Sequence, residues 1–151
     1  MMNNQTNIEP NKELNKEPQA RTPGAKRAGK GEFFFDLKQV NQIMGGPDYS
    51  PVFGGCVEGD RMIVAVMRAP AGKFADLHSH PNEQWIYILE GRLEFHIEDQ
   101  VQILGPGAVI YIPAEKLHKA GALPDSDCVF FTCKDAASGL HGTKHPSNIK
   151  E

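Results

Sequence analysis

From Phe33 to Lys134 the chain is cut into short runs rich in β-branched and aromatic residues. They recur about every ten residues, and Gly and Pro punctuate them. This spacing leaves no room for an ordinary helix and predicts an all-β sandwich or barrel. The predicted strands are Phe33–Leu37, Val52–Val57, Arg61–Arg68, Asp76–His80, Gln84–Leu89, Leu93–Ile97, Val101–Leu104, Val109–Ile112, His118–Ala120 and Cys128–Lys134. Residues Lys38–Met44 are expected to form a helical turn or two. Turns are marked by Pro70-Ala71-Gly72, Glu90-Gly91, Glu98-Asp99, Pro106-Gly107 and Pro124-Asp125.

A length of 151 residues suits one domain with one core. Residues 1–31 differ from the rest. They lack aromatics, carry six Lys/Arg against three Asp/Glu (+3), and hold three Pro and three Gly. The other 120 residues carry ten against sixteen (−6). The stretch 1–31 is expected to be a disordered, mobile arm, because it cannot offset its ordering entropy by burial. Residues 32–135 are expected to form the barrel and 136–151 an irregular tail. The net charge of −3 offers no global attraction to nucleic acid or anionic membrane. The apolar runs Met62–Met67 and Trp85–Leu89 are too short to span a bilayer, and Met1–Pro10 does not read as a secretory signal. A cytoplasmic address is expected. Cys56, Cys128 and Cys133 form no CxxC and read as free thiols, with Cys133 beside a metal as the alternative.

The chemistry concentrates in four residues. His78 and His80 are two apart, so on a strand they share a face with their bases about 6–7 Å apart. Gln84 opens the next apolar strand, and His118 follows the Pro113 turn. Three imidazoles and one oxygen donor would leave a divalent ion with open positions, the layout of a working rather than a closed structural site.

The run Gly72-x5-His78-Ser-His80-x3-Gln84-x6-Gly91 resembles the first cupin motif. Gly107-x5-Pro113-x-Glu115-x2-His118 resembles the second, and the hairpin Leu93–Leu104 joins them. The resemblance implies a single small double-stranded β-helix (jelly-roll) barrel. It also implies one metal ion on His78, His80, Gln84 and His118. Most cupins have Glu where Gln84 stands, and the usual glycine of the second motif is replaced by Glu115, which is expected to loosen that turn. A similar His-His-Gln-His set occurs in cupins of pectin degradation, but their Asp and Arg near the last strand have no match in Phe131, Thr132, Cys133 and Lys134. A neutral Gln leaves a divalent ion its full +2 charge, which favours Lewis-acid chemistry.

The expectation is therefore a metal-dependent enzyme on a small organic acid or sugar acid, of isomerase, lyase or decarboxylase type. The alternatives are an Fe(II)-dependent dioxygenase and a non-catalytic cupin that binds a metabolite or sugar. Iron, manganese, zinc, nickel and cobalt all suit the donors. Asp76, two residues before His78, and Tyr111, beside the second motif, are the candidate acid/base groups; the plain alternatives are a strand-edge carboxylate and a packing ring. Arg68 and Lys73 are candidates to grip an anionic substrate. Tyr87 reads as packing; Phe74, Trp85 and Phe95 read as barrel lining or core. His96 alternates with Phe95 and Ile97 and reads as solvated. His141 and His145 read as tail residues, or else as a lid. A small-molecule ligand and a homodimer are the expected partners.

Overall fold

The computed structural model describes residues 18–146. Among these there are twelve β-strands and no helix, and so no helix long and apolar enough to cross a membrane. The strands are β1 (Lys26–Arg27), β2 (Gln42–Gly46), β3 (Ser50–Glu58), β4 (Met62–Ala69), β5 (His78–Ser79) and β6 (Gln84–Glu90). They continue with β7 (Leu93–Ile97), β8 (Gln100–Leu104), β9 (Val109–Ile112), β10 (His118–Ala122), β11 (Cys128–Asp135) and β12 (Thr143–Lys144). One sheet runs β1-β3-β4-β11-β6-β9, with β2 on β3. The other runs β12-β5-β10-β7-β8. The two face each other as an all-β jelly roll.

Period-2 alternation builds the core between them. On β4, Ile63, Ala65, Met67 and Ala69 point inward; on β6, Gln84, Ile86 and Ile88 do so, while Trp85, Tyr87 and Leu89 face outward. Leu93, Phe95, Ile110, Ile112 and Phe130 fill the space between the sheets. Toward one end of the barrel the inward rows turn polar. Lys134 pairs with Ile63 on one side and Gln84 on the other, and Gln84 pairs with Ile112, so one row crosses four strands. In the facing sheet His118 lies opposite His78. The connection between β6 and β7 is tight: Gly91 has φ +73, and a side chain there would collide with the Asp127 carbonyl.

The largest differences from expectation lie at the ends and before β3. Phe33–Leu37 forms no strand, and Phe33 and Phe34 are the most exposed aromatics. Of the helical turns expected over Lys38–Met44 only one hydrogen-bonded turn forms, closed by Gln39 N–H on Asp36 O (2.9 Å); a bend and then β2, which pairs antiparallel with β3, take the rest. Backbone contact explains this: a Cβ at Gly55 would strike the Leu37 carbonyl, so the segment lies directly on β3. The boundary set at residue 32 also moves. Thr22 is buried, Lys26–Arg27 pairs parallel with Val57 and Glu58, and both Glu58 oxygens accept backbone N–H groups, from Arg21 (2.7 Å) and Thr22 (3.0 Å). Hydrogen bonds to a buried carboxylate thus supply what apolar burial alone did not. Residues 1–17 of the expected arm lie outside the described residues. The expected irregular tail is likewise partly built in. Ala136 and Leu140 are buried, and β12 pairs with β5; residues 147–151 lie outside the described residues.

Candidate metal centre

Three histidines gather where β5 meets β10. Ring centroids are 4.3 Å apart for His78 and His118, 4.9 Å for His80 and His118, and 6.3 Å for His78 and His80. Each ring is oriented by a carbonyl two residues away. His78 Nδ1 donates to Asp76 O (2.6 Å), His80 Nδ1 to Asn82 O (2.9 Å) and His118 Nδ1 to Lys116 O (2.8 Å). A carbonyl only accepts, so the proton sits on Nδ1 in all three. Each neutral ring then keeps a bare lone pair on Nε2, the form that binds a metal. Burial holds the rings neutral, taking His78 and His80 down to about 4 and His118 to about 2. Tyr49 stacks on His78 at 4.2 Å and Phe95 on His118 at 5.8 Å, which locks both planes.

Gln84 completes the group. Thr132 Oγ1 donates to the Trp85 carbonyl (2.8 Å), so toward Gln84 it can only accept. The Gln84 atom facing it at 2.8 Å is therefore the amide nitrogen. The amide oxygen is left for the opposite side, where Gln84 lies near enough to His80 to favour its protonated form without making a hydrogen bond of good geometry to its Nε2. His80 Nε2 is fully buried and has no hydrogen-bond partner. A buried basic nitrogen with nothing to bind is costly, and a cation would relieve that cost. Among the described residues no group of three or more His, Cys, Asp or Glu side chains is placed so that it could hold a metal ion as it stands. The fit to a divalent ion rests on the matched tautomers, the orphaned nitrogen and an all-neutral donor set.

The surrounding loops are pinned. Asn82, fully buried, donates to Asp135 O (2.6 Å) and Gly139 O (3.0 Å), which ties the loop between His80 and Gln84 to the end of β11. Glu115 N donates to His80 O (2.8 Å). Glu115 itself adopts φ 64, the left-handed conformation that a glycine would take without strain. Holding Glu115 in that conformation costs about 1 kcal/mol.

The other candidates do not join the cluster. Asp76 and His78 were expected to share a strand face, but β5 is only two residues long. Ala75 and Leu77 turn inward instead, and the Asp76 carboxylate lies at the surface, paired with Lys144 Nζ (2.9 Å). Tyr111 faces outward between the buried Ile110 and Ile112 and packs on Trp85, 4.6 Å between centroids. Trp85 and Phe74 are exposed rather than lining or core, whereas Phe95 is buried. Cys133 lies opposite Trp85, away from the histidines. Arg68 is at the surface, paired with Asp127 (3.1 Å), and Lys73 borders the cavity. His96 is half-buried beside Glu94 (3.7 Å) and Phe74. His145 bonds Ser79 Oγ (2.8 Å), and His141 bonds Met44 O (3.1 Å).

Three side chains at the cavity were not foreseen: Tyr49, Thr132 and Lys134. Alternation along Cys128–Lys134 carried a signal for two of them, since Phe130 inward implies Thr132 and Lys134 inward. Tyr49 had none, because it precedes its strand. Its hydroxyl accepts the Gly142 N–H at 2.8 Å, and burial raises its pKa.

Comparison with known proteins bears on the same region. The family profile described as "Cupin domain" matches residues 65–133. The fold is similar to KdgF from a Halomonas species, with a TM-score of 0.59 and 20% identity over 69% of this chain and 93% of that one. It is similar to the polyketide cyclase RemF from Streptomyces resistomycificus, with a TM-score of 0.61 and 21% identity over 69% and 79%. A mannose-1-phosphate guanylyltransferase of Sinorhizobium fredii is 39% identical over 67 residues; the match spans 43% of this chain and 13% of that enzyme.

Proposed function

Because residues 65–133 match the cupin-domain profile and the fold is similar to that of solved cupins, we propose that the chain is a member of the cupin superfamily, that it binds one divalent metal through His78, His80, Gln84 and His118, and that it acts as a metal-dependent enzyme on a small organic acid. The observation that carries this is the buried, unpartnered His80 Nε2 among three imidazoles whose Nδ1 protons are all committed elsewhere. With no carboxylate in the donor set, a bound ion would supply Lewis-acid chemistry. The chain's own residues do the rest. Thr132 sets the Gln84 amide, Tyr49 and Phe95 fix two ring planes, and apolar side chains such as Ile86, Met67 and Phe130 keep water from the inner wall.

Elemental mass spectrometry on protein purified without chelator tests this. About one equivalent of metal is expected in the parent and little in His80→Ala; a parent that stays metal-free after reconstitution removes the proposal. Iron with oxygen consumption would move the chemistry to the dioxygenase reading. A second reading, a cupin that binds a metabolite without turning it over, is favoured by one observation. Neither Asp76 nor Tyr111 reaches the cavity, and no Asp or Glu lines it.

A further inference from the structure

We propose that the cavity selects an organic anion and that Lys134 is the residue that reads its charge. This rests on the cavity being a ligand site, as above, and adds the sign of the ligand and the group that holds it. Lys134 projects from the inner face of β11 in the same cross-sheet row as Gln84 and is 5% exposed. Its ammonium has three donors. One goes to Leu140 O at 2.7 Å. None of the ion pairs among the described residues involves it.

The carboxylates nearest in the fold are committed elsewhere. Glu58 holds the amides of Arg21 and Thr22. Asp135, next in sequence but of opposite parity, holds those of Glu83 and Ala137. The cavity lining contains two lysines, Lys73 and Lys134, uncharged imidazoles and no Asp or Glu, in a chain that carries a net charge of −3. A buried cation without a paired counter-ion is expensive, so burial lowers the Lys134 pKa to about 7 although Asp135 opposes it; a carboxylate entering the cavity would be the partner that favours the charged ammonium. An acid with a second oxygen beside the carboxylate, such as a 2-hydroxy or 2-keto acid, can face Lys134 with one end and the histidines with the other. Arg68, already paired with Asp127 at the surface, has no such role.

Glycolate and glycolamide have nearly the same shape and differ in charge. Calorimetric titration of the full chain, both as purified and after chelator treatment, is expected to show glycolate binding about tenfold or more tighter than glycolamide. In Lys134→Gln, which keeps a donor for Leu140 O, the ratio should fall to near unity; in Lys73→Gln it should persist. A parent ratio near unity, no glycolate binding, or a ratio that survives Lys134→Gln each overturns the inference. Should Lys134→Gln fail to fold, the parent decides by NMR: the Lys134 ammonium signal must shift with glycolate and not with glycolamide, and a signal unmoved by both overturns the inference. Failure here is separable from failure of the metal centre. A metal-free protein with the glycolate preference loses only the metal proposal, and a metal-loaded protein without it loses only this one.

Discussion

Lowering the pH of the chelator-treated protein should destabilise it well before its carboxylates protonate. His78, His80 and His118 are held neutral in the fold, down to about 4, 4 and 2, against an ordinary value of 6.5. The folded pKa is thus depressed in each case. Below about pH 6.5 the unfolded chain binds protons that the folded chain refuses, so stability falls as pH falls. The loss from His78 and His80 levels off when they themselves protonate near pH 4, and that from His118 continues below it. Between pH 7.5 and 5 each ring contributes a loss of about 2 kcal/mol, and the three together about 6 kcal/mol. That is comparable with a whole domain's stability of about 5–15 kcal/mol. Lys134, lowered to about 7 by burial, adds its cost as pH falls from about 10.5 to 7 and leaves the slope below pH 7 unchanged. Urea titrations followed by circular dichroism at stepped pH would measure the effect. In His118→Leu the drop should shrink to about 4 kcal/mol. A stability that stays flat from pH 7 to 5, or an equal drop in parent and variant, would refute the reasoning.

Two further outcomes follow from contacts around the site. Thr132→Val nearly conserves volume but frees the Gln84 amide to rotate. Metal affinity by competition with a chromophoric chelator should fall about tenfold or more, with the fold intact by circular dichroism. Gly142→Ala places a Cβ against Ser79 O and the His80 side chain. It should lower the melting temperature and open the segment after Leu140 to limited proteolysis, at a cost of about 1–3 kcal/mol.

Sequence legibility tracked regularity. Nine of the ten predicted strands lie on observed ones, because Gly and Pro mark their ends and alternation marks their faces. The exception, Phe33–Leu37, has strand-forming residues but meets β3 through its backbone, a contact no periodicity reveals. The histidines and Gln84 were readable because spacing and motif agree. Asp76 was misplaced because the two-residue rule was extended past the end of β5. Tyr111 was misplaced for the opposite reason, since the buried Ile110 and Ile112 already implied an outward ring. Lys134 was overlooked because a lysine at the end of a strand usually reaches solvent. Residues 18–31 and 136–146 looked structureless because two-residue strands, a few buried side chains and hydrogen bonds to distant residues, not a local pattern, hold them.

Leu140 joins regions that are far apart in the chain. Its N–H is held by Thr22 Oγ1 at 2.7 Å, 118 residues away, and its carbonyl takes the Lys134 ammonium. Closing a loop of that size in an open chain costs about 4 kcal/mol, more than one hydrogen bond returns. The clasp alone therefore cannot draw the two ends together; the paired sheets bring its two halves within reach. One wall of the cavity thus rests on residues from both ends of the described chain, so a change at Thr22 would reach the cavity through Leu140.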